Sequence, residues 1–149
     1  LKNLRTLHIR IQQHSKNALY LAEKFEAQGL KTVYPGLPSH PSHNIYTEML
    51  NHEYGYGGML TIDVGSLEKA NELMELMQNK NLGYLAVSLG FYKTLFSAPG
   101  SSTSSEIPEE EQKEMGLSTG LIRFSIGLDA DIERTCTIMV DCMKEVNIL

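Results

Sequence analysis

Tryptophan is absent from this 149-residue sequence, and cysteine appears only twice. Cys136 and Cys142 stand six apart in a segment with helical periodicity. At about 100° per residue they project to different sides, which disfavours a disulfide between them. Two unpaired thiols fit a reducing, cytoplasmic compartment. An excess of positive charge is also missing. The 13 Lys and Arg against 18 Asp and Glu give a formal net charge of −5, with no basic cluster. Nucleic-acid phosphates demand a basic stripe, so this composition argues against a nucleic-acid partner. No apolar run approaches the roughly 20 residues of a membrane span, so no membrane partner is expected. The first residues are polar and helix-like, unlike a signal peptide. A start methionine is lacking at Leu1, and the helical pattern is already running at Leu4. We therefore expect a piece of a longer polypeptide.

What is present reads as one globular domain. Its hydrophobic content of 42% and charged content of 21% do not suggest disorder, and the length suffices for a core. Leu4, Leu7, Ile11, His14, Ala18, Leu21 and Phe25 recur at alternating three and four, the stripe of a long amphipathic helix. Gly29 suits its end. His14 lies on that stripe with no acid at four residues' distance, which favours a packed histidine over a catalytic one. Leu30 to Tyr34 reads as a short strand. Pro35, Pro38 and Pro41 follow at every third residue and predict an extended loop. His40 and His43 lack further ligands at zinc spacing. His43 to Asn51 reads as one or two helical turns.

Met59 to Val64 alternates as a half-buried strand. Ser66 is placed to cap the next helix, whose apolar face is Ala70, Leu73, Met74 and Met77. Tyr84 to Leu89 and Thr94 to Ser97 read as strands. Gly100 to Ser105 is loop, without the lysine of a phosphate-binding motif. Pro108 suits a first helical position, and Glu109, Glu110 and Glu111 favour a helix start. Gly116 ends that helix. Asp129 is placed to cap the last one, with Ile132, Cys136, Met139, Met143 and Val146 as its buried stripe. The order predicts an α+β fold, a mainly antiparallel sheet with helices packed on one face.

One strand carries a lone charge. In GLIRFSIGLD, Ile122, Phe124 and Ile126 share a face, and Arg123 and Ser125 point to the other. A strand arginine is suited to bidentate binding of a carboxylate or phosphate. On spacing alone, the commoner arrangement is an arginine facing solvent or paired with a glutamate.

Longer motifs change that weighting. VSLG at Val87–Gly90, then TL at Thr94–Leu95, a small-residue loop and GLIRFSIGLD resemble the carboxy-terminal domain of the pyridoxal-phosphate enzymes of cysteine and methionine metabolism. LRTLHIRIQQHSKNALYLAEKFE and VYPGLPSHPSHN resemble the same family's N-terminal helix and loop of that domain. The resemblance covers nearly the whole chain. It implies that residues 1–149 form the small C-terminal domain of a fold-type I enzyme, with 1–28 the long inter-domain helix. Part of that helix should then expose an apolar face to a domain that the chain does not include.

The resemblance implies three site residues. Arg123 takes the place of the arginine that binds the substrate α-carboxylate, and Ser88 that of the serine beside it. Val87 stands where cystathionine γ-lyases and γ-synthases commonly carry Glu and methionine γ-lyases carry Val, which suits an uncharged thioether. Thr103-Ser104 departs from the family's usual Thr-His and puts specificity in doubt. The cofactor implied is pyridoxal 5′-phosphate. Its Schiff-base lysine comes, in the family, before the region matched by Leu1. Lys69 in Ser66-Leu67-Glu68-Lys69 is placed on a solvated helix face instead. The implied partners are a sulfur amino acid, an N-terminal cofactor-binding domain of the same polypeptide and further copies in a homotetramer. The fragment alone is expected to be inactive. The remaining alternatives are a cystathionine lyase or synthase fragment, and a non-catalytic α+β module that binds an amino acid or a protein.

Overall fold

A computed structural model describes residues 2–101 and 106–149. Leu1 and the Ser102–Ser105 stretch, with its Thr103-Ser104 pair, lie outside the described residues. The chain opens on a short 3-10 turn at Asn3–Thr6 and continues as α1, Leu7–Ala27. Only the second half of its apolar stripe is buried: His14, Ala18, Leu21 and Phe25. Leu4 is 66% exposed, and Leu7 and Ile9 are exposed as well. The helix ends at Gly29, whose φ of +83° suits glycine. The Gly29 N–H donates to the Glu26 carbonyl and the Leu30 N–H to that of Phe25, which satisfies carbonyls left open by the last turn.

Strand β1, Lys31–Val33, leads into the proline segment. This is not extended as the spacing predicted. Leu37, His40 and His43 each donate an N–H to the carbonyl three residues back. Each proline therefore occupies the second position of a turn, where its fixed φ is favoured. The three turns deliver α2, His43–Met49. Strand β2, Met59–Asp63, is followed by α3, Leu67–Asn79. The Ser66 side chain caps α3 by accepting from the Lys69 N–H, as its position predicted.

The next strand is shorter than expected. β3 is only Tyr84–Leu85, so Val87 and Ser88 sit in a loop. β4 is Leu95–Ser97, α4 is Glu109–Glu114, β5 is Leu121–Ser125 and α5 is Ile132–Glu145. Pro108 is the cap before α4 and not its first residue. α5 is capped by Asp131, whose carboxylate accepts from the Arg134 N–H, and not by Asp129. The Asp129 carboxylate instead accepts from the Asp131 N–H and the Thr135 hydroxyl.

The five strands are ordered β1-β2-β5-β4-β3. All pairs are antiparallel except β3 with β4, which is parallel. Leu60, Ile62, Phe96, Ile122 and Phe124 are buried on one face. α1 and α3 pack on that side, with α5 against both. Phe124 sits between Phe25 of α1 and Phe96 of β4, at ring-centroid distances of 6.3 and 6.0 Å. The opposite face presents Thr61, Asp63, Leu121 and Arg123 half-buried. No helix among the described residues is long and apolar enough to cross a membrane.

Candidate functional site

Arg123 lies on the central strand, on the sheet face opposite the core. Strand register sets it opposite Thr61 on β2 and Ser97 on β4. Directly opposed residues share a face, so the arginine rises between two hydroxyl-bearing neighbours. Its Nη2 donates to the Val87 carbonyl at 2.9 Å. That bond joins the strand to the loop that carries Ser88, and Ser88 is exposed beside it. The Val87 side chain is 54% exposed. Of the three residues singled out by the sequence, the structure joins Arg123 to Val87 through the Val87 backbone, and Ser88 follows in the same loop.

The loop is fastened at Gly90. Its N–H donates to Ser125 Oγ at 3.0 Å, and its carbonyl accepts from Arg10 Nη2 at 2.6 Å. Ser125 shares the Arg123 face, yet it is buried because the loop covers it. Sequence reasoning missed Arg10 and Ser125 as loop anchors. The one signal for Arg10 was its place in the LHIR segment of the family-like helix. Beside the anchor lies a mostly apolar hollow of about 190 Å³, lined by Ile11, His14, Met59, Leu89 and Ser125 among others. His14 is buried, with Nδ1 2.5 Å from the Ile126 carbonyl. Burial lowers its pKa against the opposing pull of that hydrogen bond, with Arg10 adding to the lowering. The neutral tautomer that donates from Nδ1 satisfies this geometry.

The other candidate groups are structural. His43 donates from Nδ1 to the Pro35 carbonyl and stacks on Tyr56 at 5.4 Å. His40 Nδ1 accepts from the Ser42 N–H. Lys69 is not simply solvated, as its position predicted. Its Nζ donates to the Val146 carbonyl at the end of α5, 2.6 Å away, and lies 3.6 Å from Glu72. Both cysteines are buried, and burial pushes their thiols up. Among the described residues, no lysine lines the hollow or bonds to Arg123, Ser88 or the loop. These residues therefore offer no amine for an imine, and no step through a cofactor is assigned to them.

Fold and site together define an α+β domain whose sheet face opposite the core presents Arg123, hydrogen-bonded to the Val87 carbonyl. The family described as "Cys/Met metabolism PLP-dependent enzyme" matches residues 1–141, and the chain belongs to it. It is 46% identical over 132 residues to the methionine gamma-lyase of Arabidopsis thaliana, covering 88% of this chain and 30% of that protein. It is 38% identical over 132 residues to a cystathionine gamma-lyase of Dictyostelium discoideum, covering 87% and 33%. The chain thus spans about a third of the length of these curated relatives. A solved cystathionine gamma synthase of Xanthomonas oryzae pv. oryzae, in complex with aminoacrylate and cysteine, superposes with a TM-score of 0.86. Its identity is 26%, and the match covers 98% of this chain and 37% of that one.

Proposed function

We propose that this chain is the small C-terminal domain of a pyridoxal-phosphate-dependent sulfur amino acid lyase of the methionine γ-lyase type. In this reading it supplies substrate recognition: Arg123 binds the α-carboxylate, Ser88 assists, and Val87 presents an uncharged surface to a thioether. The observation that supports this is the bond from Arg123 Nη2 to the Val87 carbonyl, in the loop that continues into Ser88. Pyridoxal phosphate supplies the electron sink for such chemistry. The contribution of this chain is orientation, because holding the carboxylate selects the bond that breaks. An N-terminal domain of the same polypeptide carries the cofactor lysine and covers the exposed start of α1. The assembly is a cytoplasmic homotetramer.

A chimera tests this reading. The chain replaces the matching segment of the Arabidopsis enzyme, and elimination is assayed with methionine and with cystathionine. Turnover of methionine, lost in Arg123→Ala, is the expected result. A folded, cofactor-bearing chimera inactive on methionine would overturn it, and preference for cystathionine would move the reading to that substrate.

A further inference from the structure

Ser97 is the polar residue on this face that the site does not explain. It is 6% exposed, and its Oγ is buried without a hydrogen-bond partner among the described residues. Its opposition to Arg123 puts the two Cβ atoms about 5 Å apart on the same face. The strand order sharpens this relation. β4 lies between β5 and β3, and Val87 follows β3 in the chain. Arg123 must therefore cross β4 at Ser97 to reach the Val87 carbonyl. Among the described residues, the hydrogen bond that the Arg123 side chain makes goes to Val87 and not to this hydroxyl.

A buried hydroxyl without a partner is costly, whereas alanine would occupy the same place without that cost. The hydroxyl is accounted for if it gains a partner in a second state of Arg123. A carboxylate is a stronger acceptor for guanidinium than a backbone carbonyl, and it takes two parallel N–H donors. An arriving carboxylate thus competes with Val87. The guanidinium has five N–H donors, so a fork to the ligand leaves others to be placed.

We propose that Ser97 is a positioning residue for Arg123. When a carboxylate displaces the Val87 carbonyl, Ser97 Oγ accepts an N–H of the guanidinium and fixes the plane of its fork. Ser97 does not touch the ligand. The inference rests on the carboxylate reading of Arg123 and deepens it.

The test is a titration of the 149-residue chain with L-methionine and with L-methionine amide. The side-chain Nε–H resonance of Arg123 is followed by nitrogen NMR in wild type, Ser97→Ala, Ser97→Thr and Arg123→Ala. Methionine should saturate the wild-type shift while the amide, lacking the carboxylate, does not. Binding to Ser97→Ala should be about tenfold weaker, with threonine restoring it to within threefold. Saturation should slow Nε–H exchange in wild type and not in Ser97→Ala, a change that loss of packing alone does not produce. Should the alanine variant unfold, Ser97→Cys keeps the volume with a weaker acceptor and must show the same loss. Variants that bind within twofold of wild type, with equal Nε–H protection, overturn the role of Ser97 and leave Arg123 as the carboxylate site. Wild type that does not bind methionine, like Arg123→Ala, removes both.

Discussion

Arg10 and Gly90 are joined across 80 residues of sequence by a 2.6 Å hydrogen bond from guanidinium to backbone carbonyl. The bond ties the first turns of α1 to the loop that carries Ser88. With Ser125 Oγ accepting from the Gly90 N–H, it fixes the loop between a helix and a strand. Helix, loop and Arg123 strand are therefore joined beside the sheet face that carries Arg123.

Arg10→Ala should loosen that loop without unfolding the domain. The bond is exposed, and such bonds contribute about 1 kcal/mol or less. Amide exchange at Leu89, Gly90 and Phe91 should rise severalfold, while the denaturation midpoint barely moves. Unchanged exchange would show that Ser125 alone holds the loop.

Gly120 precedes the Arg123 strand and accepts no side chain. A Cβ there would lie 2.4 Å from the Ser66 nitrogen and 2.5 Å from that of Gly65. Both are backbone atoms, so no rotamer change relieves the clash. Gly120 also accepts from the Val64 N–H at 2.9 Å, which holds the segments together. Gly120→Ala should cost about 2–3 kcal/mol, or roughly 4–12 °C of melting temperature in a chain this size. Calorimetry that finds the variant as stable as wild type would contradict this packing.

Asp63 gives the acid side of the stability profile a specific origin. Burial alone would raise its pKa, but hydrogen bonds from the Gly65 N–H, Ser118 and Lys31 outweigh it and hold it below the ordinary value. The folded pKa is therefore below the unfolded one. The stabilisation is fully present above the unfolded pKa and is lost as pH falls through the folded one. Asp63→Asn should be less stable at pH 7 by about 1 kcal/mol, discounted because Lys31 is exposed. The two unfolding curves should converge once pH falls below the folded pKa of Asp63. A difference that persists once the carboxylate is protonated would assign the effect to shape and not to charge.

Much of this arrangement was legible in the sequence because it is periodic. The stripe from His14 to Phe25, the alternation around Ile62 and the Ser66 cap are local patterns with local causes. The proline spacing was ambiguous, since every third residue fits an extended helix and also successive turns. Asp129 and Asp131 both suit a helix start. The outcome turned on the Asn17 side chain, which donates to the Gly127 and Asp129 carbonyls, and on the bond to Asp129 from Thr135. Tyr84 to Leu89 alternates like a strand, but the Gly90 anchors draw the chain away from the sheet edge. Arg123 stood out as a lone charge among apolar neighbours. Ser125 and Arg10 did not, because each owes its place to a partner distant in sequence, and Ser97 did not, because only the strand register sets it opposite Arg123.

Arg123→Ala in the full-length enzyme is the decisive substitution for the proposed function. A charge-assisted hydrogen bond contributes about 1.5–3 kcal/mol, and a bidentate fork makes two. Water replaces part of this, so the loss in transition-state binding should be roughly 3–5 kcal/mol. At about 1.4 kcal/mol per decade, kcat/KM should fall by two to four decades. Lysine should rescue only part, because a point charge cannot reproduce the fork. Folding should hardly change, since Ile122 and Phe124, and not Arg123, point into the core. Cofactor occupancy should persist, because no lysine bonds to this site among the described residues. Steady-state elimination from methionine, with bound cofactor measured in each preparation, decides the matter. A cofactor-loaded variant within threefold of wild type would leave Arg123 as a strand residue that merely ties down the Val87 loop.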